Sequence, residues 1–109
     1  MNITENEYEK IINHIRSLID NNEYYITQHA HVEMYEEFYT IEKVILGIKN
    51  GEIIEQYPEH KRGPCCLISG KTNKNRPIHI VTTTTQEKLI IITVYEPTKP
   101  KWISPTKRG

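Results

Sequence analysis

Arg76 and His79 stand at the head of one β-branched run, and Thr93 and Tyr95 close the next. In an antiparallel pair the start of one strand lies beside the end of its neighbour, so these four side chains can gather at one sheet edge. A guanidinium to hold phosphate, an imidazole that exchanges a proton near neutrality and a phenol that donates a hydrogen bond are the parts needed to cleave RNA through its own 2′-hydroxyl, a reaction that needs no metal. Strand alternation sets a condition on that grouping. Arg76, Ile78 and Ile80 fall on one face and His79 and Val81 on the other, so Arg76 and His79 point apart unless a bulge intervenes.

A fifth candidate, His29, falls at the start of a helical segment, where its ring can cap backbone groups or pack on a sheet. Five histidines are many for a chain this size, yet none makes a metal motif: His29 and His31, two apart, face different directions on a helix. Cys65 and Cys66 are adjacent and cannot supply half of a zinc site, so they read as reduced thiols in a strand. No phosphate-binding glycine loop and no Ser-His-Asp or Cys-His signature is present, so no cofactor is expected.

The elements that must position these residues follow from periodicity. Tyr8, Ile11, Ile12, Ile15, Leu18 and Ile19 recur at helical spacing, giving a helix from about Glu5 to Asp20 that stops at Asn21-Asn22. Thr27 caps a second helix with Ala30 and Met34, and Phe38 at its end, facing inward, while Glu33, Glu36 and Glu37 stay wet. Thr40 caps a third, whose buried face is Ile41, Val44, Ile45 and Ile48 and which Asn50-Gly51 ends with a left-handed residue. After Gly51 the period shortens, predicting strands near Glu52 to Tyr57, Cys65 to Ser69, Ile78 to Thr84 and Leu89 to Tyr95. Pro58 and Pro64 confine the chain between them to a loop, Gly70 to Asn75 and Gln86 to Lys88 supply hairpin turns, and the segment from Pro97, with three prolines, reads as a tail anchored by Trp102.

Helices followed by strands, without alternation, predict an α+β domain: about three N-terminal helices packed on a four-stranded antiparallel sheet. At 109 residues the chain is sized for one domain. We divide it into an N-terminal helical extension over 1–25, a core over 26–97 and a tail over 98–109. The charge balances at 14 basic against 14 acidic residues, so no global field draws it to nucleic acid or to an anionic membrane. The balance hides an asymmetry. Acidic residues dominate up to Glu59, whereas Lys61, Arg62, Lys71 and Lys74 open a basic second half that can meet an RNA backbone. No apolar run approaches the roughly 18 residues of a membrane span, and Met1 to Lys10 lacks the basic and apolar regions of a signal peptide, so a cytoplasmic location is expected.

Several segments taken together resemble the bacterial domain-of-unknown-function family 4258: His29-Ala30 followed by Met34, Thr40 to Val44, Gly51 to Pro58, Arg76 to Val81, and Ile91 to Pro97 with Trp102. That family is similar to the RelE and BrnT toxins, which join helices to an antiparallel sheet, cut messenger RNA and are silenced by an antitoxin partner. The resemblance implies a RelE-like fold, a metal-independent endoribonuclease and an antitoxin-like partner. Its matched polar positions are His29, Arg76, His79, Thr93, Tyr95 and Trp102; Glu33 stands where the family pattern often has Arg, which removes one phosphate contact. Arg76 becomes the phosphate ligand, His29 or His79 the proton-transfer group, Tyr95 a hydrogen-bond donor, and Lys61, Arg62, Lys71, Lys74, Thr93 and Trp102 the RNA-binding set. The alternative is a non-catalytic module of the same fold that binds protein or nucleic acid.

Overall fold

A computed structural model describes residues 5–109. The first helix, α1 (Glu5–Asp20), buries Ile15, Leu18 and Ile19. It ends where Asn22 takes a left-handed φ of 56°. The Asn22 N–H then donates to the Ile19 carbonyl (3.1 Å) and the Glu23 N–H to that of Leu18 (2.8 Å), closing the last turn as a Schellman motif. Tyr8 falls outside the fully buried stripe.

Glu23 leads into β1 (Tyr24–Ile26), a strand of three residues, too short for sequence periodicity to show. It runs parallel to β5 (Leu89–Tyr95), with Tyr24 opposite Leu89 and Ile26 opposite Ile91. The Thr27 N–H continues the ladder to the Ile91 carbonyl (3.0 Å) while the Thr27 hydroxyl accepts the Ala30 N–H (3.1 Å), so strand passes directly into α2 (Gln28–Glu36). Ala30 and Met34 are buried as expected, but Phe38 is 81% exposed.

Its backbone explains the reversal. α2 closes as a second Schellman motif, with the Phe38 N–H donating to Tyr35 (3.4 Å) and the Tyr39 N–H to Met34 (2.9 Å). Phe38 therefore holds the left-handed position at φ 59°, and it is Tyr39 that turns inward against Met34.

Thr40 caps α3 (Ile41–Asn50) by accepting the Lys43 N–H (3.3 Å). Val44 and Ile48 are buried, yet Ile41, expected on the same face, is 41% exposed at the first position of the helix. Gly51 is not left-handed, as expected of a helix stop, but has φ −86°. Glycine is required there by space: a Cβ would lie 2.5 Å from the Gly47 carbonyl oxygen and 2.6 Å from Ile68 Cγ2. Gly47 itself packs on Ile78 of the sheet, which lets α3 lie close against β3 and β4.

The strands β2 (Glu52–Tyr57), β3 (Cys65–Lys71), β4 (Pro77–Thr83) and β5 form an antiparallel meander, as the turns imply. With β1 the sheet has five strands in the order β1-β5-β4-β3-β2 and is mixed, which corrects the expected four-stranded antiparallel sheet. The domain is thus α+β, with Ile78, Ile80, Ile68, Cys66, Ile91 and Val94 packed with the helices in one core.

The far face holds a second departure. The chain after Pro97 is not a loose tail: β6 (Trp102–Ser104) and β7 (Lys107–Arg108) make a hairpin against the sheet. Its anchor is Trp102, which is 2% exposed.

Phe38 predicts a measurable cost. A left-handed non-glycine residue is disfavoured by roughly 1–2 kcal/mol and glycine gives back part of that in chain entropy, so Phe38→Gly should raise stability by up to about 1 kcal/mol in urea denaturation. A loss of 1 kcal/mol or more would show that the exposed ring packs on the domain.

Candidate functional site

The sheet register puts Tyr95, His79 and Ser69 in one row across the far face, since His79 pairs with both Tyr95 and Ser69. His79 has no exposed surface. Its Nε2 faces the Pro105 carbonyl of the C-terminal hairpin, which can only accept, so the proton sits on Nε2. Nδ1 must then accept from the Tyr95 hydroxyl at 3.0 Å. Trp102 stands edge-on to the imidazole at 4.5 Å, and the Ser69 hydroxyl also donates to Pro105 (3.1 Å).

Arg108 locks the hairpin down. It donates to both Glu55 oxygens at 2.7 and 2.9 Å while its guanidinium lies 4.6 Å from the Trp102 ring centre, and Tyr57 adds a hydrogen bond to Glu55. The Arg108 pair holds the Glu55 carboxyl below its usual range. Burial pushes the His79 imidazole down, opposed by its hydrogen bond to Pro105, and raises the Tyr95 phenol. His79 and Tyr95 therefore do come together, but beneath the hairpin, with His79 and Trp102 enclosed and Tyr95 half-buried beside them.

Arg76 sits elsewhere, as alternation requires. Its guanidinium stacks on Tyr39 at 4.0 Å, donates from Nε to Glu96 at 2.6 Å and reaches Glu37 at 3.5 Å, a neutralised position at the helix-side edge. Tyr39 in turn donates to the Pro77 carbonyl (2.6 Å), fixing the entry to β4. Lys71 and Lys74 lie at the β3–β4 turn, whereas Lys61 and Arg62 precede β3 at its other end, about 20 Å away by the length of a seven-residue strand. The four lysine and arginine side chains thus make two separate groups.

The Lys61 group is the one that meets an imidazole. Thr27, Gln28, His29, His60, Lys61, Arg62 and Ile92 line an open depression of about 310 Å³ where α2 begins. A β-bulge in β5 at Ile92, opposite the Val81/Thr82 step, makes this possible. It turns the Ile92 carbonyl outward to accept from the Thr27 hydroxyl (3.1 Å). The β2–β3 loop is held over the depression by Thr84, which donates through N–H (3.0 Å) and hydroxyl (3.2 Å) to the Pro64 carbonyl, and by Gln86, which donates to Arg62 O. Gly63, at φ 96°, takes the left-handed turn that lets the loop fold back, with its N–H on the His60 carbonyl (2.9 Å).

Two ring states follow from the contacts. His29, 68% exposed, places Nε2 3.2 Å from a Glu33 oxygen, and that same oxygen accepts the Val94 N–H at 3.0 Å. Burial raises the Glu33 carboxyl, against the lowering effect of the Val94 hydrogen bond and the nearby His29. Nε2–H pointing at the carboxylate leaves Nδ1 as the nitrogen that can exchange a proton. His60 Nδ1 accepts the Arg62 N–H (3.1 Å), so its Nε2 carries a hydrogen and is a donor. His60 and Glu33 lie outside the site that the sequence suggests; a loop histidine carries no periodicity, and Glu33 falls on the helix face expected to stay wet. Thr93, on β5 opposite Val81, is half-buried.

Burial pushes the Cys66 thiol up to about 12, which keeps it protonated and unreactive at neutral pH. Among the described residues no three His, Cys, Asp or Glu side chains are grouped to hold a metal ion, and no helix is long and apolar enough to cross a membrane.

A depressed imidazole makes stability depend on pH in a definite direction. His79 contributes fully above the unfolded value near 6.5, and that contribution is lost as pH falls below it, because protons then bind the unfolded chain preferentially. Denaturant midpoints at pH 7.5 and 5.5 should fall for the wild type, and the fall should be smaller in His79→Gln. Equal falls would remove His79 from the account. Trp102, the single tryptophan, reports hairpin release by fluorescence in the same titration.

No curated protein and no solved structure matches the chain. A family model does match, over residues 26–96, from the last residue of β1 to just past the end of β5. That span is more than half of the sequence and contains both the α2 depression and the His79 row, so the chain belongs to the domain of unknown function family DUF4258.

Proposed function

We propose that the protein is a metal-independent endoribonuclease whose working site is the depression at the start of α2. One observation carries this reading: two imidazoles from segments far apart in sequence, His29 and His60, line the same open hollow with Lys61 and Arg62. In the proposed reaction His29 Nδ1 takes the proton from a ribose 2′-hydroxyl, and the 2′-oxygen attacks the adjacent phosphorus. The bond to the 5′-oxygen breaks, and the imidazolium returns its proton to that leaving oxygen, giving a 2′,3′-cyclic phosphate. The His60 N–H, Lys61 and Arg62 stabilise the charge on the non-bridging oxygens. Glu33 orients the His29 ring.

This moves the chemistry away from Arg76, His79 and Tyr95, whose roles become support of the fold. Lys71, Lys74 and Thr93 remain candidates for more distant RNA contacts. The resemblance to RelE and BrnT toxins read from the sequence is the ground on which we propose this reaction class, and with it an antitoxin-type partner and a cytoplasmic setting. A second reading, a protein-binding module of the same fold, is favoured by aromatic side chains exposed where α2 meets α3.

The test is incubation of the full chain with RNA in excess chelator. Cleavage should persist, leave cyclic phosphate ends, vanish with 2′-deoxy substitution, and drop by about 10²–10⁴ in His29→Ala. Arg76→Ala should lower stability more than the rate of the folded fraction. Intact RNA at micromolar protein would overturn the proposal, and RNA binding that weakens steeply with salt but without cleavage would leave a nucleic-acid-binding module.

A further inference from the structure

Four of the seven large apolar side chains exposed among the described residues fall within ten positions: Val32 (48%), Tyr35 (85%), Phe38 (81%) and Ile41 (41%). They mark the corner where α2 turns into α3. Val32 and Tyr35 are a turn apart on α2, Phe38 is the joint and Ile41 opens α3. A hollow of about 460 Å³ lies beside Tyr35 and Phe38, lined by these two with Met34, Glu36 and Thr40. Single exposed apolar residues are ordinary, whereas a contiguous group with a concavity marks a binding surface.

Phe38 supplies an independent reason. The backbone at this joint needs a left-handed residue, for which glycine or asparagine is the unstrained choice. An aromatic ring in that conformation, turned to solvent, serves neither the cap nor the core. Strain retained with no return inside the domain points to a use outside it.

The rim decides what can sit there. Glu36, which lines the hollow, and Glu42 are exposed at this corner, while Glu37 is paired with Arg76 and the nearby Lys43 amine turns back onto the Phe38 carbonyl at 3.4 Å. Phosphates are repelled by this rim. A second copy using the same face would set acidic rims against each other. The remaining complement is a protein segment with an apolar face and cationic flanks.

We propose that Val32, Tyr35, Phe38 and Ile41 form a docking surface for a partner protein that presents apolar side chains flanked by lysine or arginine. This stands apart from the ribonuclease reading, because it uses none of that site's residues and is centred on Phe38, about 13 Å from His29 along the α2 axis, with Val32 alone within a turn of His29.

The experiment titrates the full chain with two labelled amphipathic helical peptides that share one leucine and tryptophan face, one with a lysine polar face and one with a glutamate polar face. The lysine peptide should bind, weaken as salt rises, and bind about tenfold more tightly than the glutamate peptide. Phe38→Gly, which keeps the backbone turn, should weaken it about tenfold, and Ile103→Ser, at an exposed apolar position on the hairpin, should leave it unchanged. Equal binding of both peptides, binding indifferent to Phe38→Gly, or no binding of either would overturn the proposal. So would sedimentation showing a dimer that Phe38→Gly dissolves, since the face would then belong to a second copy.

Discussion

Thr27 is the joint on which the rest depends. Its N–H extends the parallel pairing of β1 with β5, its hydroxyl donates to the bulged Ile92 carbonyl, and the same oxygen accepts the Ala30 N–H that starts α2. Three hydrogen bonds at one residue turn a strand into a helix within a single step, so the first turn of α2 is fixed against β5. Glu33 makes the second attachment one turn later through the Val94 N–H, which β1 is too short to reach. His29 lies between these two anchors.

The far side of the sheet is organised by a different rule. A buried imidazole must have both nitrogens satisfied, and here the C-terminal hairpin supplies one partner and β5 the other. The hairpin is held less by its own two short strands than by what it covers: Trp102 against His79, Pro105 over Ser69 and His79, Arg108 on Glu55. Its worth is therefore tied to a neutral His79. The polar row that looks from the sequence like a reaction centre lies beneath the hairpin and holds it to the sheet.

Much of the frame was legible. Threonine caps at 27 and 40 and the change of period after Gly51 place α2, α3 and the meander strands almost where they occur, because each signal is local. β1 escaped notice because three residues cannot express a period, and its pairing with β5 turns an antiparallel sheet into a mixed one. Prolines hid the C-terminal hairpin, whose stability comes from long-range contacts that no local pattern records. At the site, alternation correctly separated Arg76 from His79, and it was the grouping of like chemistries that misled. His60 becomes interesting only when the β2–β3 loop is seen to fold over α2. Phe38 and Ile41 have the residue type of a core and stay exposed, Phe38 because it takes the left-handed position of a helix cap and Ile41 at the first position of α3.

In the proposed site His29 and His60 face one shared phosphate. Imidazole resonances in two-dimensional NMR, followed while a non-cleavable 2′-deoxy dinucleotide is added, test it without requiring turnover. The His29 and His60 signals should move together and saturate at the same ligand concentration, with the buried His79 unmoved. Movement of His79 alone, or of His29 without His60, would contradict it.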